Sequence, residues 1–311
     1  TALADAEVEY KDHTSNTIYS SFKIEKTEKD FLKDCHVIIW TTTPWTIPVN
    51  RALAYNDVIK YSVIQIGKET EHFKNKKIII ASELIKKVAE ECNFNDYKIL
   101  KEFKGKELNG TICSHPLKNI GYTYEVPMFE GSFVTLEQGT GIVHSAPSHG
   151  PDDFNLCLKH GIKASNTMND SGVYSDEVPY FAGTHIFKAD KLVIEKLLEH
   201  KCLLGSGKLQ HSFPHSWRSK APLVYRATSQ WFISMEKNNL RKKALKAIDD
   251  TVFYPAKGKD RIRSMIETRP DWCISRQRIW GVPLPLFVSK KTKEPLKDPS
   301  VIENIAKIYE K

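Results

Sequence analysis

Two stretches, residues 40–50 and 139–154, hold the side chains of this chain best suited to chemistry. The first, WTTTPWTIPVN, sets Thr41, Thr42, Thr43 and Thr46 around Pro44 and Trp45 and ends on Asn50. The second, GTGIVHSAPSHGPDDF, brings His144, His149, Asp152 and Asp153 onto a glycine-punctuated turn. Hydroxyls both donate and accept hydrogen bonds, imidazoles titrate near neutral pH, and carboxylates hold cations. No serine or cysteine nucleophile signature accompanies them. The mixture suits a pocket that takes a small charged molecule and a water.

Each group also has a plainer reading. Threonine is β-branched, so four of them equally describe an edge strand whose hydroxyls face water. Gly139 and Gly141 allow a tight bend or the close approach of a ligand. His144 follows the apolar pair Ile142-Val143 near an expected strand end, where a histidine is often a satisfied structural residue, and His149 can simply orient the turn that follows. Asp152 and Asp153 fall in the first turn of an expected helix, where acids contribute about 0.3–1 kcal/mol through the macrodipole. A carboxylate that binds an ammonium group fits the same place, because the helix terminus keeps it ionised. Singly, each residue favours the plain reading; together they favour a site.

The elements that must position these groups are short. Strands are predicted at 37–40, 61–66 and 78–81, and Phe133-Val134-Thr135-Leu136 continues the β-branched and aromatic pattern. Ser82 is expected to cap a helix running to about Cys92, with Leu84, Ile85 and Val88 on one face. A second helix starts at Gly150-Pro151, with proline at the tolerated first position and Gly161 closing it. A third is expected from about Ala189-Asp190 to just before Gly205, burying Leu192, Val193, Leu197 and Leu198. Asn169-Asp170-Ser171-Gly172 reads as a turn.

After about residue 210 the character changes. An aromatic and polar stretch, His211 to Trp217, leads to Leu223-Val224-Tyr225 and Gln230-Trp231-Phe232. A basic amphipathic helix follows, with Leu240, Ala244, Leu245 and Ile248 inward and Arg241, Lys242, Lys243 and Lys246 outward. A domain boundary is therefore placed near 210, dividing 1–210 from 211–311.

The bulk composition narrows the class. The chain has 311 residues, 41% of them hydrophobic and 10% aromatic, which describes a globular protein of one large or two ordinary domains. No apolar run is long enough for a membrane span. The opening TALADAEVEYKD carries neither a cleavable signal nor a transit pattern, and reads as the start of a fragment of something longer. Six scattered cysteines form no CxxC pair, so free thiols are expected rather than a zinc or redox site. The net charge of +8 favours a polyanionic partner, although lysine enrichment alone produces the same excess. The basic helix and the cluster Lys257, Lys259, Arg261 and Arg263 are candidates for nucleic-acid backbone contact, or else solvated faces.

WTTTPWT followed by P-x-N-R-A, and GTG-x-VH-x-AP-x-HG-x-DDF, closely resemble the editing-domain motifs of the isoleucyl-tRNA synthetase family, which is class I. The opening AEVEYKDHTS, the intermediate PHSWRSKAPLVYRATSQWFISM and the tail WCISRQRxWGVP extend the resemblance over most of the chain. The tail resembles the point where that family re-enters its catalytic core. HG-x-DDF is similar to the bacterial and organellar branch, and the TTTPWT arrangement sets the chain apart from leucyl and valyl relatives.

The resemblance implies a mixed α/β fold: a β-barrel editing domain with peripheral helices at 1–210, then an α/β connective segment at 211–311 leading back to the class I Rossmann core. It implies hydrolytic proofreading that cleaves the ester of tRNA(Ile) charged with valine while excluding isoleucine, with valyl-adenylate left open as a further substrate. Thr42, Thr43, Thr46 and Asp153 would be catalytic. Thr41, Trp45, Asn50, His144 and Asp153 would bind the substrate: Thr41 lines and Trp45 and Asn50 border the pocket for the charged 3′ end, Asp153 takes the α-ammonium, and His144 admits valine but blocks isoleucine. No metal or cofactor is expected for editing, while ATP and Mg2+ serve the full-length synthetase. Nothing here resembles the ATP-binding signatures of such enzymes, so no aminoacylation is expected from this chain alone. The implied partner is the tRNA(Ile) acceptor end, with no membrane contact, a monomeric state, and a bacterial cytoplasm or mitochondrial matrix as the compartment. A tRNA acceptor-end binding module without activity is the competing reading. Ser148, where many relatives have glycine, departs from the pattern, and His149 is assigned no chemical role.

Overall fold

The longest element is a strand, β1 (Val8–Lys26), and its two halves do different work. Up to Asn16 and Thr17 it pairs only with β10 (Leu203–Ser216), as a two-stranded antiparallel ribbon. Ile18 to Phe22 and Ile24 are buried, and from Ile18 the strand takes β2 (Cys35–Thr41) as a further neighbour, then β7 (Ile112–Ser114) at its end. This is a computed structural model, and it describes all residues except 1, 2, 4, 68–71, 277–280, 282, 283, 293 and 311. Residues 277–280, 282 and 283 of the WCISRQRxWGVP tail thus lie outside the described residues.

The remaining strands are β3 (Ala52–Tyr55), β4 (Lys60–Ile66), β5 (Lys77–Ala81), β6 (Tyr97–Lys104), β8 (Glu125–Glu130) and β9 (Val143–Ser145). They form one ten-stranded sheet of order β6-β4-β5-β2-β1-β7-β8-β3-β9, with β10 also on β1. The β2–β5 and β3–β8 pairs are parallel and the others antiparallel. The sheet curls until its far side meets β5: the Ala81 N–H donates to the Thr140 carbonyl at 2.9 Å, and the Tyr61 hydroxyl donates to the Gly141 carbonyl at 2.7 Å. The mixed α/β, barrel-like expectation holds in this form. Ile18, Phe22, Val37, Ile39, Ile64 and Ile79 fill the interior. Their runs are apolar rather than strictly alternating because these strands are covered on both faces.

Three helices flank the sheet: α1 (Ile85–Glu91), α2 (Pro151–Lys159) and α3 (Ile186–Glu199). The predicted strands at 37–40, 61–66 and 78–81 and the helix opening at Pro151 are all present, and Gly161 ends that helix with φ +76°. Phe133–Leu136, read as strand-like, is irregular. Ser82 caps no helix; its hydroxyl bonds that of Ser62 at 2.8 Å, so tertiary pairing outcompetes the local cap. The third helix starts at Ile186, three residues before the expected Ala189, with the His185 ring as its cap. Leu198, expected inside, is exposed.

The described residues divide into two compact units, one of residues 7–228 and one of residues 1–6 with 229–311. The second holds α4 (Leu240–Asp250), α5 (Lys257–Glu267), α6 (Pro299–Tyr309) and a short pair, β11 (Phe232–Ile233) with β12 (Trp272–Cys273). Arg241, expected to face solvent, instead turns its guanidinium onto the carbonyls of Ile266, Glu267 and Arg269 at 2.5–3.0 Å. The end of α5 leaves such carbonyls without helical partners, and a cation satisfies them. Leu240 is partly exposed and Ile248 is buried.

Candidate functional site

The threonine string does not continue as a strand. β2 ends at Thr41, and Thr43 takes φ −128° and ψ 71° before a 3-10 helix over Pro44–Val49. Pro44 fixes its own φ at the first helical position, so the chain turns inward there and all six residues of the 3-10 helix are buried. Opposite this turn, Gly139 and Gly141 adopt φ +78° and +73°, the left-handed region that glycine enters without strain. A Cβ on Gly141 would lie 2.5 Å from the Ala81 Cβ. These glycines bring the 139–144 backbone against the end of β2.

Between them lies a pocket of about 270 Å³, at the small end for ligand sites. Trp40, Thr41 and Thr42 form one wall. Thr135, Gln138 and the backbone from Gly139 to Val143 form the other, and His144 and Asp153 complete the lining. Four sequence-predicted residues therefore meet at the pocket: Thr41, Thr42, His144 and Asp153.

Thr43, Thr46 and Asn50 stand behind His144 and do not line the pocket. His144 Nε2 is 2.9 Å from Thr46 Oγ1, and Nδ1 is 3.4 Å from Asn50 Nδ2. An amide nitrogen only donates, so Nδ1 accepts and the ring proton is assigned to Nε2. Thr46 Oγ1 accepts that proton and passes its own to the Thr43 carbonyl at 2.8 Å. Asn50 also donates to the Ala52 carbonyl at 2.9 Å. Thr41 Oγ1 accepts the Thr43 N–H at 3.1 Å and lies 3.2 Å from Thr43 Oγ1. The Thr42 hydroxyl has no partner among the described residues. Trp45 faces away, its indole edge-on to His149 with centroids 4.9 Å apart.

Burial sets the electrostatics. It lowers the His144 pKa to about 4, with His149 nearby adding to the effect, so the ring is neutral at pH 7. Asp153, in the first turn of α2, is pushed up to about 6 by burial, against the opposing effect of the Ala146 N–H, which donates to its Oδ2 at 3.0 Å. It forms no ion pair among the described residues. Asp153 is thus a carboxylate that lacks a cation and faces a small cavity. Asp152, its neighbour, is exposed.

His149 is spoken for on both nitrogens. Nδ1 donates to the Tyr225 carbonyl at 2.9 Å, and Nε2 takes the Thr167 hydroxyl at 2.8 Å. Ser148 has no left-handed φ; its hydroxyl donates to the Ser165 carbonyl at 2.7 Å, and its carbonyl accepts the Ala227 N–H at 2.8 Å. A serine there is accommodated without strain and adds a cross-link.

Sequence reasoning missed Trp40, Thr135, Gln138 and Thr140 as lining residues. Gln138 directly precedes the glycine string, which is the signal that marks it; Thr135 sits in Phe133–Leu136, whose β-branched and aromatic pattern is strand-like but whose backbone is irregular. All six cysteines are unpaired. Among the described residues no group of three or more His, Cys, Asp and Glu side chains could hold a metal ion.

Comparison with known proteins bears on the whole chain. The family model described as tRNA synthetases class I (I, L, M and V) matches residues 1–311. Isoleucine–tRNA ligase of Pelagibacter ubique (strain HTCC1062) is 64% identical over 311 residues, covering 100% of this chain and 34% of that protein. The Gluconobacter oxydans (strain 621H) enzyme of the same name is 45% identical, covering 99% and 34%. The chain spans about a third of the length of the curated relatives it matches. Among solved structures, the editing domain of P. falciparum cytosolic leucyl-tRNA synthetase aligns at TM-score 0.47 with 11% identity, over 61% of this chain and 98% of that one.

Proposed function

Since the chain belongs to the class I tRNA synthetase family of the I, L, M and V enzymes, we propose that its pocket is a proofreading site that hydrolyses valine from tRNA(Ile) and excludes isoleucine. One observation carries the reading: a carboxylate without a cation and a ring pinned at both nitrogens line one small cavity together with threonine side chains.

The division of labour follows from the geometry. Asp153 takes the α-ammonium of the aminoacyl group, supplying an anion where the cavity has no other. His144 is neutral, so it does not repel that ammonium; held by Thr46 and Asn50, it cannot rotate away from a larger side chain. A synthetic site for isoleucine gains only about 1–3 kcal/mol over valine from one methylene, a magnitude for which isoleucyl enzymes are themselves the standard case. A second pocket that rejects by overlap supplies the rest. The aminoacyl ester is already activated, so a placed water suffices. Its oxygen bonds the carbonyl carbon, the ester C–O bond breaks, and a water proton goes to the ribose oxygen. The free Thr42 hydroxyl orients the water, and Thr41 supports it through Thr43 and Thr46. Hydrolysis is derived from these groups alone; ATP and Mg2+ are proposed for the synthetic reaction of the longer protein.

The hydrolytic unit is proposed to be the body of residues 7–228, acting as a monomer in a bacterial cytoplasm. No helix among the described residues is long and apolar enough to cross a membrane. A deacylation assay with both charged tRNAs tests the reading. Loss of valine with isoleucine spared is expected; equal hydrolysis of both, or tRNA binding with hydrolysis of neither, overturns it.

A further inference from the structure

Trp45 lies at the turn that places the threonines, and side chains remote in sequence hold both polar groups of its backbone. Its N–H donates to Asp190 Oδ1 of α3 at 3.0 Å. Its carbonyl accepts the hydroxyl of Tyr174, which is fully buried. Asp190 Oδ2 is also bonded by Asn16 Nδ2 of β1 at 3.4 Å, so one carboxylate ties α3, β1 and the 3-10 helix together.

The arrangement answers a local deficiency. The first N–H groups of a helix have no helical partner, and the residue before the helix ordinarily caps them. Thr43 holds that place but makes no side-chain cap, because its hydroxyl lies against Thr41 and Thr46. The threonine that a lone helix would use as its cap is tied to its neighbouring threonines instead, and Asp190 supplies the missing acceptor at the helix's positive end. Asp190 is largely buried and forms no ion pair among the described residues, and the hydrogen bonds it accepts from Trp45 and Asn16 offset part of the cost of that burial.

We infer that Asp190, with Tyr174 on the opposite side, is a positioning residue for the threonine turn. By clamping the Trp45 peptide it frees Thr43 from capping and sets where Thr41, Thr42 and Thr46 stand. The inference rests on the proofreading reading for its kinetic test but not for its structural one. In the chain carrying Asp190→Ala, kcat for Val-tRNA(Ile) deacylation should fall about 10- to 100-fold with KM little changed, since misplacement of reacting groups by an ångström costs that much. Asp190→Asn keeps an acceptor for the Trp45 N–H and should retain most of the activity. Tyr174→Phe, which removes one hydroxyl, should lower kcat in the same sense and covers the case in which the alanine variant does not fold.

Amide hydrogen exchange supplies the independent readout. The Trp45 N–H should lose protection in Asp190→Ala while amides of β4 and β5 keep theirs. Unchanged Trp45 exchange, equal losses at Trp45 and in those strands, or an asparagine variant no better than alanine would overturn the inference. A wild-type chain with no deacylase activity would defeat the functional reading alone, leaving the exchange experiment to decide this one.

Discussion

His144 and Asp153 act through opposite uses of burial. Both have lost water, which disfavours charge on either. His144 finds hydrogen-bond partners for its neutral form and remains an uncharged wall. Asp153 keeps a raised pKa of about 6 and gains most from a cation that arrives with the substrate. Changing Asp153 to Asn should weaken transition-state binding by about 2–5 kcal/mol, as loss of one partner of a buried charge pair does. Single-turnover deacylation rates would measure it, and a change below tenfold would refute the anchor role. The free carboxyl must ionise to hold an ammonium, so kcat/KM should rise with pH through about 6. Asp153→Asn should flatten that limb, and a limb that persists in the variant would assign it to another group. Changing His144 to Ala should let Ile-tRNA(Ile) be hydrolysed while the valyl ester remains a substrate; retained selectivity would remove the selector role.

At the scale of elements, the site is a junction of a strand end, a 3-10 turn and a glycine loop, each constrained by another. Thr46→Val removes the acceptor of His144 Nε2–H and leaves a buried donor unpaired, which should cost about 1–3 kcal/mol of stability. It should also blur discrimination between the two esters, because the ring is then pinned at one nitrogen only. Urea unfolding and paired deacylation assays would show both effects, and a stability loss with selectivity intact would mean that the ring needs no pinning. Gly141→Ala adds a Cβ 2.5 Å from Ala81 at a left-handed φ, so about 2–5 kcal/mol of destabilisation is expected from strain and overpacking together. An unfolding midpoint like that of the wild type would contradict it. Elements such as β2, β5 and α2 were legible because apolar runs, proline and glycine agree locally with the fold. Ser82 and Phe133–Leu136 were not: the Ser82 hydroxyl is taken by Ser62 of the neighbouring strand β4, and the Val134 carbonyl by Asn56, 78 residues away. Asp190 was read as a helix start, whereas its carboxylate serves a turn 145 residues away.

For the whole molecule, four histidines are stored uncharged. Burial pushes His36, His144 and His149 to about 4 and His115 to about 3. Unfolded, each would titrate near its usual value of about 6.5. Between these limits the unfolded chain binds more protons, so stability falls as pH drops from about 6.5 toward 4. Asp153 and Asp190 oppose this: burial raises both carboxyls, and the Asp153 pKa of about 6 makes the folded state the better proton binder between about 4 and 6. The four histidines outweigh the two acids, and the urea midpoint should be clearly lower at pH 4.5 than at pH 7; an equal or higher midpoint would sink the account. The basic surface carries less free charge than its composition implies, since Arg241 is spent on carbonyls and Arg263 pairs with Asp249 and Glu267.

What the sequence determined by itself was the inventory: threonines, histidines and acids in two strings, the family they resemble, and the strands and helix whose local signals agree. It could not say which threonine faces the cavity, which ring nitrogen carries the proton, or that His149 and Thr46 are committed to other partners. Those follow from contacts across about a hundred residues, formed only when the sheet curls and the glycine loop meets the end of β2. Side-chain identity is local, whereas burial, hydrogen-bond partnership and pKa belong to the surroundings, and the tertiary structure alone supplies those.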